Sequence, residues 1–559
     1  MTQAMNALYY GDNLHVLRES LRDESVDLIY LDPPFNSQAN YNVLFRGPSG
    51  EQSKAQIEAF EDTWHWTDEA ERAFDEVMRC GNTNIAEMLR AMRSFLKEND
   101  MMAYLTMMAV RLFVLRGVLK PTGSLYLHCD PTASHYLKIL LDAVFGANRF
   151  LSEVIWKRTS SHNSARRWGP IHDVVLQYRK GDAYTWNRVF TEYDDGYVSR
   201  YYRFTDGIGR KYRLSDLTGS GTRNGESGQP WNNFDPTKHG RHWAVPSVVK
   251  EEFPGISALT PHQWLDLFQS EGMIEMTGEG VGWPHVRRYL DRMPGQSLQD
   301  VVTDIPPLTQ RHAERLGYPT QKPTALLERI IQASSNPGDT VLDPFCGCGT
   351  TIHAAQKLDR SWIGIDITHL AISLIEKRLN DAFPGIKYEV HGTPKDVDGA
   401  RALAKQDKYQ FQWWAVSLVD AVPYGGKKKG ADSGIDGYIY FKPDGKTTEK
   451  AVVSVKGGDN VNVAMIRDLA HVVDREKAKI GVFITLAEPT APMRTEAIKA
   501  GFFKPPYGQE CAKIQILTIR ELFEGRQPKI PLIDTSAFRT AKLEAQAIQP
   551  KLFGPTQHD

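Results

Sequence analysis

Two acids, each closing an apolar run, carry the chemistry legible in this sequence. Asp32 follows the run from Val26 to Leu31 and precedes Pro33-Pro34-Phe35-Asn36. Two prolines cannot continue a sheet, so the backbone leaves the strand tip rigidly and directs Asp32 and Phe35 into a cleft. A carboxylate beside a fixed backbone carbonyl is a pair of acceptors suited to the two N–H bonds of an amine. Asp343 closes the second run, Val341-Leu342, and opens the stretch Asp343-Pro344-Phe345-Cys346-Gly347-Cys348-Gly349-Thr350-Thr351. Gly347 and Gly349 let that backbone fold tightly beneath a ligand. The loop has neither GxGxxG nor the Lys-Ser/Thr ending of a phosphate cradle, which argues against a dinucleotide or ATP.

The surrounding pattern supplies the frame. Leu326, Leu327, Ile330 and Ile331 share one helical face behind Pro323, which suits a first helical turn. Asn336-Pro337-Gly338-Asp339 then forces a turn, and a helix resumes from Thr351 to Leu358. Trp362 to Ile365 forms the next strand, with Asp366 at its carboxyl end. This is a βαβ unit with a glycine loop at the strand tips, where open α/β sheets bind ligands. In the first half, residues 8–16 read as a strand end, a turn at Gly11-Asp12-Asn13 and a short helix. Residues 46–100 read as an insertion, a loop followed by an amphipathic helix, with Trp64 and Trp66 expected to pack onto the core. Met101 to Leu119 is a helix apolar on most faces, Ser124 to His128 a strand, Asp130 the cap of a helix ending near Phe145, and His172 to Tyr178 a further core strand.

Together, LDPPFN at 31–36 and DPFCGCGTT at 343–351 resemble the catalytic and donor motifs of DNA amino-methyltransferases. The catalytic stretch comes first, as in the circularly permuted beta group. The resemblance implies an α/β, Rossmann-like, S-adenosylmethionine-dependent methyltransferase with an inserted target-recognition region. It gives the target amine to Asp32 and the Pro33 carbonyl, the exit from the strand to Pro34, and the base face to Phe35. An exocyclic amine conjugated to a purine ring is a poor nucleophile; gripping both N–H bonds draws its lone pair out of conjugation for in-line attack. Asp at the first position favours adenine N6 over cytosine N4, with cytosine N4 or RNA as the further alternative. The donor falls to Asp343, Pro344, Phe345, Gly347, Gly349 and Thr350, its ribose hydroxyls to Asp366, its carboxylate to Lys322 of the TQKP motif, and its adenine amino group to Asp12.

By this resemblance the catalytic half covers 1–158, the target-recognition region 159–316 (with 172–178 a core strand) and the donor half 317–393. Residues 394–408, polar and lysine-rich, are a linker candidate, and 531–559 a tail. Formal net charge is −1, so no bulk positive field advertises nucleic acid, and contacts to double-stranded DNA must come from local patches. Lys157, Arg158, Arg166 and Arg167, set among serines, are the candidates for phosphate contacts. Five cysteines without a CxxC pair point to a reducing cytoplasm and no zinc framework. No apolar run reads as long enough to cross a membrane, and no signal peptide is visible.

Residues 409–530 read as a small α/β domain. Gly434-Ile435-Asp436-Gly437 followed by Val453-Ser454-Val455-Lys456 resembles the Mrr-like branch of PD-(D/E)xK restriction endonucleases. Residues two apart on a strand face one side, which lets an acid hold Mg²⁺ while a lysine steadies water or phosphate. Asp436 is the metal candidate. Ser454 stands where an acid or Gln is expected beside Lys456, so cleavage requires Asp432 or another acid. A bifunctional enzyme that also cuts DNA, a DNA-binding remnant and an unrelated domain remain three readings. A second copy of the chain or a separate restriction subunit is the expected protein partner.

Overall fold

The computed structural model describes residues 6–531 except 35–39, 47–51, 62–64, 160–165, 254, 279–281, 310–311, 317, 319 and 425–433, and gives the backbone alone for 40–46 and 52–61. These residues form two compact units, Met1–Asn187 with Gln299–Asp559, and Arg188–Leu298.

The first unit is built on a nine-stranded sheet in the order Val301–Val302, Phe150–Lys157, His172–Arg179, Leu119–Cys129, Val26–Leu31, Thr340–Asp343, Ser361–Asp366, Ala7–Tyr10, Glu389–His391. His172–Arg179 runs antiparallel to both of its neighbours, and every other pairing is parallel. The central strands are apolar on both faces because helices cover both. On one side, Ile29, Leu31, Leu125 and Leu127 pack under helices that include Asp100–Val118 and Ser134–Phe145. On the other, Leu28, Val341 and Trp362 pack under Thr324–Ser334, Thr350–Lys357 and His369–Ala382.

The decisive register is Leu28 beside Val341 and Ile29 beside Leu342. The two motif-bearing strands are therefore neighbours, and Asp32 and Asp343 emerge at adjacent strand ends. Chain order reverses here, which makes it the switch point where such sheets open a crevice.

Three expectations change. The insertion holds an antiparallel strand pair, Asn40–Arg46 with Gln52–Glu61, and two helices, Asp68–Arg79 and Thr83–Leu96, where one helix was expected. Trp66 does pack inward: its indole donates to Glu71 at 3.1 Å and Arg93 lies 4.6 Å over its ring; Trp64 lies outside the described residues. The linker candidate folds into the helix Val397–Gln406, because Val397, Ala400, Leu403 and Ala404 fall on one face among the polar residues. Asp100–Val118 is long and apolar enough to cross a membrane, contrary to the reading of the sequence, but 67% of its most apolar window is buried within the protein.

Beyond that helix, the C-terminal region forms a five-stranded sheet: Val422–Pro423, Gly437–Phe441, Glu449–Lys456, Ile480–Thr485, Ile514–Thr518. Its first helix, Lys408–Ser417, is seated on the donor half. There Trp413 packs with Tyr318, Cys348 and Leu370, and the Gln410 side chain accepts from the His369 N–H at 3.1 Å. The Arg188–Leu298 unit has its own core of Leu217, Trp231, Trp243, Trp264 and Phe268 beside a four-stranded antiparallel sheet. The tail, 532–559, lies outside the described residues.

Candidate active site

Asp12, Asp32, Pro34, Lys322, Asp343, Pro344, Phe345, Gly347, Thr350 and Asp366 all line one cavity of about 350 Å³. Pro33 is buried just behind it, and Gly349 begins the helix that closes it. Phe35 lies outside the described residues. Stretches separated by some three hundred residues in sequence thus meet around one space large enough for a nucleoside-sized ligand.

The glycine loop is held open from below. The Gly347 N–H donates to Asp366 at 2.9 Å, and the Thr368 N–H and hydroxyl donate to the other Asp366 oxygen, each at 2.9 Å. Gly347 and Gly349 have φ of +50° and +72°, which L side chains rarely adopt. A Cβ on Gly349 would lie 2.8 Å from Ile375, and one on Gly347 would lie 3.2 Å from the Tyr318 ring. Tyr318 is thus the wall against which the loop is folded.

Five carboxylic side chains line the cavity against two cations, Arg111 and Lys322. Burial pushes the Asp343 carboxyl up to about 7 and that of Asp366 up to about 6, despite the hydrogen bonds each accepts. A cavity that strains to hold its acids ionised favours a positively charged ligand, whose arrival relieves the strain.

Lys322 is placed on Asp32. Its ammonium donates to both carboxylate oxygens, at 2.8 and 2.7 Å, and the side chains are only 10% and 17% exposed. Asp12 caps the helix Asn13–Glu19, accepting from the Leu14 and His15 N–H groups.

Arg111 had no signal in the sequence, because it sits in an otherwise apolar helix. It donates to Asp12 at 2.8 Å and to the Asn13 side chain at 2.7 Å, and Asn13 in turn donates to the Pro344 carbonyl at 2.8 Å. One guanidinium therefore ties the Asp12 turn to the Asp343 loop.

Cys346 and Cys348 are buried, and burial pushes both thiols up, which makes them fillers with little thiolate character. Of the DNA candidates, Lys157, Arg166 and Arg167 are exposed, the last of them followed by Trp168, itself 98% exposed. Arg158 is committed inward, its guanidinium 3.2 Å from Asp173.

With this geometry in view, comparison with known proteins is decisive. The family described as DNA methylase matches residues 26–377, more than half of the 559 residues. The chain belongs to the DNA methylase family. A restriction endonuclease family matches residues 403–523 of the same chain. This DNA methylase is 34% identical over 277 residues to the type II methyltransferase M.EcaI of Enterobacter cloacae, covering 49% of this chain and 57% of that one. It is 26% identical over 368 residues to the Mod subunit of the type III restriction-modification enzyme StyLTI of Salmonella typhimurium, covering 63% and 50%. Over 87 residues it is 47% identical to the DNA adenine methyltransferase YhdJ of Escherichia coli, covering 16% and 30%. The chain spans about half the length of the first two relatives.

In the C-terminal domain, Asp436 immediately precedes the strand Gly437–Phe441, Lys456 ends the strand paired with it, and the Val455 N–H donates to Asp436 at 2.6 Å. Ser454 is buried two residues before Lys456. Asp432 lies outside the described residues. Among the described residues no group of three His, Cys, Asp or Glu side chains could hold a metal ion.

Proposed function

We propose that this protein transfers a methyl group from S-adenosylmethionine to adenine N6 in double-stranded DNA, within a restriction-modification setting. The observation that carries this reading is the emergence of Asp32 and Asp343 from adjacent strands into one cavity. When bound, S-adenosylmethionine supplies an electrophilic methyl on a sulfonium.

The rest is work for the chain's own residues. Asp343 and the glycine loop hold the amino-acid end of the donor, Asp366 the ribose, and Asp12 the adenine amino group. Asp32 and the Pro33 carbonyl accept the two N–H bonds of the target amine and turn its lone pair toward the methyl. The amine cannot reach the cavity from within a stacked pair, so the base must swing out of the duplex. Lys157, Arg166 and Arg167 hold phosphates while it does so. The setting is supported by the names of the relatives, one of which is a Mod subunit and implies a separate partner chain.

The test is incorporation of labelled methyl groups into DNA, with nucleoside analysis of the product. N6-methyladenine formed by the wild type and lost in Asp32→Ala with folding retained supports the reading. Activity that survives this substitution removes it.

A second reading, DNA cleavage by the C-terminal domain, is supported by the restriction endonuclease family match and by the neighbouring Asp436 and Lys456. Mg²⁺-dependent nicking abolished by Lys456→Ala would establish it. No nicking on methylated or unmethylated DNA reduces the domain to a binding module.

A further inference from the structure

Behind the cavity lies a row of polar side chains that the steps above do not use. Tyr30 precedes Asp32 by two residues, so both side chains lean to one face, and both line the cavity. The Tyr30 hydroxyl meets His128 Nδ1 at 2.8 Å, and His128 Nε2 meets Asp173 Oδ2 at 3.1 Å. Arg158 reaches the other Asp173 oxygen at 3.2 Å. Tyr30, His128 and Asp173 are 2%, 0% and 2% exposed. The row crosses three adjacent strands at the centre of the sheet, with Arg158 just past the end of the fourth, where an unpartnered polar group is costly.

The far end of the row anchors it. Burial pulls the Asp173 carboxyl upward, but the His128 hydrogen bond and the nearby Lys322 and Arg158 charges outweigh it and hold the group below its ordinary value. A carboxylate only accepts, so His128 Nε2 carries the hydrogen, and the ring is fixed with Nδ1 on the Tyr30 hydroxyl. Tyr30, Asp32 and Lys322 line the same cavity, so the row backs the Lys322–Asp32 pair.

We infer that Asp173, His128 and Tyr30 are positioning residues for methyl transfer, a buried row that fixes the Tyr30 hydroxyl at the cavity wall two residues from Asp32 and so holds the Asp32 carboxylate in its orientation toward the amine. This inference rests on the methyltransferase reading.

The test compares wild type, Tyr30→Phe, Asp173→Asn and the double variant in single-turnover transfer of labelled methyl groups to DNA. Donor affinity and melting temperature are measured beside it. Wild-type transfer is the control that separates the two ideas: if it is absent, the methyltransferase reading fails first. Given that activity, Tyr30→Phe should slow transfer about ten- to a hundredfold, the worth of one orienting hydrogen bond, with donor affinity unchanged and only the modest loss of melting temperature that one unpartnered buried nitrogen brings. Asp173→Asn withdraws the acceptor from His128 Nε2 and should reproduce the same loss. The double variant should be no slower than the slower single one, as for groups acting in series. Tyr30→Phe at the wild-type rate, or losses that multiply in the double variant, overturns the inference. Tyr30→Phe decides alone if Asp173→Asn does not fold.

Discussion

Lys322 donates to both oxygens of Asp32, at 2.8 and 2.7 Å, although 290 residues separate them in sequence. The pair sits where the two halves of the sheet meet, so it joins the Asp32-Pro33-Pro34 tip to the half that carries Asp343. Removing one partner leaves an uncompensated charge in a poorly solvated place. Asp32→Asn and Lys322→Met should each cost about 3–5 kcal/mol of stability. The double variant should recover much of that stability and none of the activity. Thermal unfolding and methyl transfer measured side by side on the three variants check this, and independent, additive costs would refute it.

Asp343 gives the donor site a pH dependence. Its carboxyl is pushed up to about 7 by burial, and a cationic donor favours the ionised form. Donor affinity should therefore rise as pH increases from 6 to 8, with a proton released on binding, and Asp343→Asn should flatten the profile. The stability contribution has the opposite sign. A carboxyl raised above its ordinary 3.8 supports folding most below that value, and the support is lost as pH rises through about 7. Asp366, raised to about 6, adds in the same direction. Calorimetric titration in buffers of different ionisation enthalpy measures the proton directly.

Arg111 is the concealed tie between the Asp12 turn and the Asp343 loop. Arg111→Met should leave Asp12 and Asn13 without their partner, destabilise the protein by about 2–4 kcal/mol and weaken donor binding by roughly tenfold or more. Arg111→Lys should rescue little, because a single ammonium cannot reproduce the two-pronged reach of a guanidinium. Equilibrium unfolding and donor titration of both variants distinguish these outcomes.

Gly349 combines φ of +72° with Ile375 at 2.8 Å from the position a Cβ would take. Gly349→Ala should cost about 1–3 kcal/mol and loosen the donor loop. Gly458→Ala, where nothing lies within 4 Å and φ is ordinary, is the control and should be near neutral. Urea unfolding of the pair supplies the comparison.

What the sequence disclosed, and what it hid, follows from the range of each interaction. Asp32-Pro33-Pro34 and the Asp343–Thr351 loop are legible because proline and glycine act on their own backbone, and the strands at 26–31 and 340–343 because apolar residues, interrupted in the first only by Asp27, run up to each acid. Arg111 is hidden because its role depends on a turn about a hundred residues earlier in the chain. Lys322 was placed at the donor carboxylate by family resemblance, and only the folded sheet brings it onto Asp32. Residues 394–408 read as a linker because the lysines and acids mask Ala400 and Leu403, whose burial is decided by the domain they meet. The Tyr30–His128–Asp173 row crosses neighbouring strands, a direction that no linear pattern records.

The pairing of Val26–Leu31 with Thr340–Asp343 also bears on how the protein is made. A ribosome that has delivered about the first three hundred residues holds a finished acid tip with no donor pocket beside it, and contacts of such long separation close slowly. The cavity is therefore completed late in synthesis, when the sheet closes. The C-terminal domain emerges later still, and its first helix then packs Trp413 against Tyr318 and Cys348.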